Sequence, residues 1–468
     1  MNDDGEKSLT MRYMNRFGCI GAACEENCCM DGWRIDVNKA HYEKLMAMAQ
    51  FSAKPIARKF NSTFIIVPKK NKKDPERYII KQFEGGGCSL FDDGWCELHA
   101  TFGYESLPHV CAFYPRKLKY VGDTIELTAT GSCPEVTRQI ILHEDGVELE
   151  PIDFGRVHRK VLQDGIDPRD TRPFFRTFIE VRQFVLDLLR DGSLRWDHRQ
   201  FLLLWFAKRT TEVLSKSVAK GDTDLIEREF TLLKNPKVRH EILKRYESLE
   251  TPAALVLMVV RAIVRPKTRG IVRPKWNELV NGVINSYQRL AEVLPASEDP
   301  DEHDRLADQA AQLGTSAPTY MTTIEVWQEY LKRRNRLRQH PKVRDRIDGM
   351  FRNYTMHTWF HRMPTEEKDI LTYTLRVLTQ QAAMKFLLYS QLPLQAALDA
   401  LEQVPEGDSE AREAAEKHLM EEVERQTVSV FYQIARHVEH GLLIKWLTEM
   451  LRKMDLFSAA GGVFLIHF

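Results

Sequence analysis

Two regimes of hydrophobic patterning divide the chain. From Phe175 onward apolar positions recur every three or four residues. Phe175, Phe178, Val181, Val185, Leu188 and Leu189 form one such stripe, the mark of an amphipathic helix. The same period predicts helices over 199–217, 223–233, 252–264, 276–294, 322–335, 347–360, 366–392 and 410–451. Polar breaks at 295–304 and 403–409 carry Pro, the second also Gly, among acidic residues. The first third of the chain follows another rule. Asn38 opens a helical pattern over 38–50 and stands where a cap belongs. β-Branched and aromatic runs at 62–68 and 77–83 read as strands around a Lys-rich turn at 69–75. Residues 117–121 and 124–129 flank Gly122 and Asp123, the pattern of a β-hairpin. The expected fold is therefore mainly α: a small mixed α/β domain over 1–150, then a large helical domain over 151–468, with a division near 295–320.

Composition narrows the function classes. The 468 residues carry 67 Lys and Arg against 66 Asp and Glu, a net charge of +1. That balance argues against a protein that coats nucleic acid through bulk charge. The longest apolar run, Ala253–Val260, falls far short of the roughly 20 residues of a membrane span. The polar start, Met1–Lys7, has no apolar signal-peptide core. The expectation is a soluble cytoplasmic protein with neither membrane nor nucleic acid as partner. Charge does cluster locally. Residues 54–81 hold nine Lys or Arg against Asp74 and Glu76, and Arg261, Arg265, Lys267, Arg269, Arg273 and Lys275 form a second basic stretch. Each reads as a solvated loop or as a surface that meets an acidic partner.

The chemistry lies in the cysteines. All eight fall in the first 133 residues: Cys19, Cys24, Cys28, Cys29, Cys88, Cys96, Cys111 and Cys133. Cys used only as a small apolar residue would be scattered, and crowded thiols in a reducing compartment read as metal-binding or catalytic. Thiolates suit iron–sulfur clusters and structural zinc. Eight of them serve two centres, or one centre plus further thiols. The paired C-x2-C knuckles of zinc ribbons are missing, which favours iron–sulfur over zinc. His99 and His109 fall inside this region as further ligands, second-shell donors, or plain surface residues. Trp33 and Trp95 are placed to shield a metal from water. His357 and His361 stand at i, i+4, but without the carboxylate of an H-E-x-x-H pattern they read as core and edge packing.

The string RYMNRFGCIGAACEENCCMDGWRID, followed by WCELH, LPHVCAFYPR and LTATGSCPE, resembles the flagellin lysine-N-methylase (FliB-type) family, within the CxxCxxCC-type cysteine-cluster proteins. Residues 349–360, GMFRNYTMHTWF, also resemble a helix of that family. The likeness carries over all eight cysteines with Gly32, Trp33, Pro115, Arg116, Pro134 and Glu135 beside them. Two features depart from it. The first gaps are four and three residues rather than two and two, and the C-x3-C-x2-C of radical S-adenosylmethionine enzymes is absent. The resemblance implies methyl transfer from S-adenosylmethionine to lysines of flagellin, with an iron–sulfur or zinc centre. No E-x-G-x-G turn follows a strand, and Gly85-Gly86-Gly87 runs directly into Cys88, so it reads as a flexible approach to a ligand. No residue is assigned as general base or as donor pocket. Two other readings stay open: a metal-binding or redox-sensing protein whose helical domain binds a partner, and a zinc-stabilised scaffold.

Overall fold

A computed structural model describes residues 7–30, 32–51, 56–84, 86–156, 162–167, 175, 177–216, 223–249, 274–288, 323–362, 367, 369–439, 448–449, 451–453 and 457–468. The helix expected over 252–264, the break at 295–304, and all but the end of the basic stretch 261–275 lie outside them. The described residues group into two units. One comprises Met1–Gln139 with Glu148–Gly165; the other comprises Ile140–Val147 with Ile166–Phe468.

The first unit is mixed α/β. Its largest sheet has the order β10-β7-β8-β1-β9, from β1 (Lys7–Met11), β7 (Arg116–Val121), β8 (Thr124–Ala129), β9 (Leu149–Glu150) and β10 (Leu162–Ile166). β7 and β8 form the expected hairpin, closing at Val121 opposite Thr124 with Gly122 at φ 64°. Lys119 and Glu126 face each other across it, both fully buried and 3.4 Å apart. β1 pairs parallel to β8, a long-range match without a local signal in the sequence. A smaller antiparallel sheet holds β2 (Asp36–Asn38), β4 (Arg77–Ile80) and β3 (Phe64–Val67) in that order. The strand expected at 62–68 starts later, because its first positions end a helix at Ile56–Thr63. The helix after Asn38 forms at Lys39–Gln50, and the Asn38 side chain accepts from the His41 amide at 2.8 Å. A third, two-stranded ribbon joins β5 (Phe91–Asp92) to β6 (Trp95–Cys96).

The second unit is helical, with no strand among its described residues beyond Ile166. Its helices are α1 (Phe178–Arg190), α2 (Trp196–Lys216), α3 (Thr223–Lys234), α4 (Pro236–Glu247), α5 (Pro274–Gln288), α6 (Thr323–Gln339), α7 (Pro341–His361), α8 (Ile370–Tyr389), α9 (Leu392–Glu402), α10 (Ser409–Glu439) and α11 (Ala459–His467). The pattern at 366–392 forms one helix, α8, and α9 begins only at its last position and lies beyond the expected stretch. Asp369 caps α8 by accepting from the Thr372 amide at 2.7 Å, and Pro393 opens α9. α4 was not expected, although Asn235 caps it ahead of Pro236.

α8 is the axis of the unit. Val377 to Ser390 is buried at every position, and α2, α5, α6, α7, α10 and α11 pack around the helix. Each fully buried Leu or Phe on it contributes roughly 1.5–3 kcal/mol through lost water contact. Two of its buried amides are matched inside the core: Gln381 donates to Thr355 at 2.8 Å, and Gln380 to the Tyr354 hydroxyl at 3.2 Å. The segment Ile140–Val147 is fastened from α7. The Asn353 amide donates to the carbonyls of Ile140 and His143 at 3.1 and 2.9 Å, and Arg346 to that of Leu142 at 3.1 Å.

Candidate functional site

The eight cysteines are all free thiols, and the first unit gathers them from separate elements. Cys29, Cys88, Cys96 and Cys111 pack in one apolar core with Ile35, Leu90, Leu98 and Leu107. The Cys29 carbonyl accepts from the Cys88 amide at 2.8 Å, tying the first cysteine segment to the second. Cys29 hydrogen-bonds Cys28 and Cys96, and these bonds together with burial push its thiol well above the ordinary range. Cys96 moves the other way, to about 7, because the Cys29 thiol donates to it and the amides of His99 and Leu98 add to that donation. Burial raises Cys88 to about 11 and also raises Cys111, to which the charges of Cys96, Cys88 and Cys28 add.

Cys19, Cys24 and Cys133 are not among the residues of that core. Burial raises Cys133 to about 12, with the charges of Cys24 and Cys28 adding to it. The Arg116 guanidinium is depressed by burial, while the charges of Cys19 and Cys133 act against that depression. Arg116 also lies over the Phe17 ring, 4.9 Å from its centroid. Cys28 thus links the two sets, hydrogen-bonding Cys29 and acting on Cys88 and Cys111 as well as on Cys133. No three of these thiols, with or without His, Asp or Glu, are set out as a closed ligand site among the described residues. In type and number the thiols fit a soft metal or an iron–sulfur cluster.

Local backbone geometry brings the segments together. The β5–β6 ribbon turns at Asp93 and Gly94, with φ of 44° and 80°, both left-handed, as a two-residue hairpin turn demands. Its Trp95 ring lies on Gly21, whose φ is 56° and where a Cβ would stand 2.8 Å from the ring. Only glycine fits there, and the contact sets the ribbon bearing Cys96 against the turn between Cys19 and Cys24. Trp95 nevertheless stays 56% exposed, so it covers the backbone of that turn rather than sealing the thiols from solvent. Trp33 packs edge-on against Tyr114 at 4.5 Å. His99 lies edge-on to Tyr104 and His109 lies against Phe113, each engaged with an aromatic ring. Glu135 accepts from Gln139 at 2.7 Å and pairs with Arg138, which also reaches Glu25 at 2.7 Å. His357 and His361 are buried on α7 with stacked rings 5.2 Å apart.

The helical unit holds a cavity of about 850 Å3 that the sequence did not announce. Its walls come from the turn before α2, the starts of α2 and α7, and the ends of α6, α8 and α11. Arg338 forks onto Asp348 at 2.7 and 3.0 Å, Arg344 meets Asp345 at 2.9 Å, and Arg195 pairs with Asp197. Lys385 is a buried residue of its lining, donating to the Ile466 carbonyl at 2.9 Å. Burial, then the charges of Arg338 and Arg334, lower this lysine to about 7, against the opposing pull of Asp348 and Asp197. Its arginines come from the turn before α2 and from three separated helices, α2, α6 and α7, each of which reads as an ordinary solvated face.

A mainly α chain with a thiol-rich α/β unit at its head is a cysteine-cluster protein. Residues 182–463, more than half of the chain, match the family model of the FliB lysine N-methylase C-terminal domain, and the chain belongs to that family. The lysine-N-methylase of Salmonella typhimurium is 29% identical over 194 residues, 42% of this chain and 45% of that protein. That of Salmonella choleraesuis is 28% identical with the same coverage. The flagellar biosynthetic protein FliU of Salmonella muenchen is 29% identical over 145 residues, 31% of this chain and 83% of that protein. The chain thus spans just under half the length of the lysine-N-methylases it matches. No solved structure matches. No described helix is long and apolar enough to cross a membrane.

Proposed function

We propose that the protein is an S-adenosylmethionine-dependent lysine N-methyltransferase acting on flagellin, with an iron–sulfur or zinc centre held among its eight cysteines. The observation that carries this reading is the match of residues 182–463 to the lysine N-methylase domain. The names of the relatives, lysine-N-methylase and flagellar biosynthetic protein, support the flagellar substrate. The reaction is an in-line displacement. The lysine nitrogen attacks the sulfonium methyl, the S–C bond breaks with its electron pair returning to sulfur, and the nitrogen sheds a proton. Only the neutral amine attacks, so the site must remove that proton or desolvate the ammonium. Holding the two partners in line supplies much of the acceleration.

The eight thiols of Cys19, Cys24, Cys28, Cys29, Cys88, Cys96, Cys111 and Cys133 are the residues that would hold metal. A thiolate-bound centre supplies Lewis-acid or redox chemistry and cross-links the segments that bear its ligands. The cytoplasm, where thiols stay reduced, is the proposed compartment. The test incubates flagellin with the full-length protein and S-adenosylmethionine, then reads mass increments of about 14 Da on tryptic lysines. Unmodified flagellin with protein that retains its metal would sink the methyltransferase reading and leave a metal-binding protein. Broad absorbance near roughly 400 nm in anaerobically purified protein selects iron–sulfur over zinc.

A further inference from the structure

We infer that the arginine-lined cavity of the helical unit is a binding site for a small anionic ligand carrying at least two phosphate or carboxylate oxygens. This inference stands apart from the methyl-transfer reading. It starts from charge. Six arginines and Lys385 line the cavity against three carboxylates. Each carboxylate is already engaged by one arginine: Asp197 by Arg195, Asp345 by Arg344, and Asp348 by Arg338. Arg199 donates to the carbonyls of Leu194 and Leu189 at 2.8 and 3.0 Å, and Lys385 to that of Ile466 at 2.9 Å, while Arg334 reaches an oxygen of Phe468 at 3.1 Å. Positive charge is therefore in excess inside a concave, partly desolvated space, where field lines are focused.

Burial depresses Lys385 first, and the field of the arginines adds to it. Lys385 faces Arg334 and Arg338 from α6, Asp348 from α7, Asp197 from α2 and His467 from α11, and the arginines weigh more in lowering it than the aspartates do in raising it. The His467 imidazole is likewise depressed, first by burial and then by Lys385 and Arg334. An anion in the cavity supplies the missing counter-charge. Guanidinium forks suit paired oxygens of phosphate and carboxylate better than a point charge does. The volume is within the range of sites for metabolite-sized ligands. The same field repels a sulfonium, so the ligand differs from the proposed methyl donor.

The test uses full-length protein, with inorganic pyrophosphate and citrate as probes in isothermal titration calorimetry at pH 7.5. The expected result is one site per chain with a Kd at or below about 100 µM for at least one probe, weakening as salt rises. Pyrophosphate binding alone points to a phosphate source, and citrate binding alone to a carboxylate source. Titrations in buffers of different ionisation enthalpy should show proton uptake, because the bound anion raises Lys385 and His467. Arg344→Glu, at the half-exposed rim, should weaken binding about tenfold or more. Asp345→Asn should strengthen it, and both should keep the wild-type circular dichroism and Tm without ligand. Absence of saturable binding by either probe, binding without proton uptake, or affinities unmoved by both variants would overturn the assignment.

Discussion

The two units of this protein solve the problem of a stable interior in opposite ways. The helical unit buries one helix, α8, on every face from Val377 to Ser390, and two of that helix's buried amides, Gln380 and Gln381, find partners inside the core. The cysteine unit is assembled from short strands, single turns and loops. One of its eight thiols, Cys88, lies in the apolar core itself, as buried as Ile35, and three more, Cys29, Cys96 and Cys111, pack half-buried against it. Thiols at such positions contribute less packing than Leu or Ile would, and they become strong ligands once deprotonated. The contrast teaches that one unit is stabilised by its own side chains, whereas the other, under the proposed metal-centre reading, is completed by what its thiols bind.

Metal removal presses hardest on that contrast. A chelator under reducing conditions, or Cys96→Ala, should cut flagellin methylation at least about a hundredfold and expose the first unit to protease. The helical circular dichroism should persist, and simultaneous loss of both units would break the comparison. Trp359→Ala is the mirror experiment. This side chain is wholly buried on α7 and edge-on to Tyr373 at 4.6 Å. Its loss should cost about 3–5 kcal/mol in denaturant unfolding of the helical unit without changing metal content.

Lys385→Met sharpens the picture in the stabilising direction. The folded-state value of about 7 lies below the ordinary 10.5, so the unfolded chain holds the proton more tightly. The resulting cost is full below pH 7 and fades as pH rises towards 10.5. After allowance for the lost hydrogen bond to Ile466, the variant should gain roughly 2–3 kcal/mol at pH 7 and little by pH 10. Melting curves across that range check it, and a pH-independent difference would refute the assigned cause. The smallest effect is expected at Asn38→Ala, which removes the cap of the helix Lys39–Gln50 and should cost about 1 kcal/mol.

Much of this was legible in the chain. The 3.6-residue period found most of the helices, and Gly122-Asp123 found the β7–β8 hairpin, because both signals are local. Asp93-Gly94 is an equally good turn dipeptide that sequence reasoning passed over, being set among cysteines read only as ligands. The parallel pairing of β1 with β8 joins residues more than a hundred positions apart and leaves no periodic trace. The arginine cavity was hidden for the same reason, since each arginine is unremarkable on its own helix and only the packing collects them. The cysteines were conspicuous through crowding, but which of them meet in the folded unit depends on loop paths that spacing does not encode.

The chain passes between its two units three times, and the short return Ile140–Val147 is held within the helical unit by Asn353 and Arg346. No single cut in the gene therefore releases either unit intact. A fragment beginning at residue 166 would carry a buried amide and a guanidinium whose carbonyl partners had been left behind, and one ending at residue 139 would lack two strands of its sheet. Recombination cannot shuffle one unit onto another protein without breaking the other, so the thiol chemistry and the helical scaffold are bound to be inherited, expressed and degraded as one.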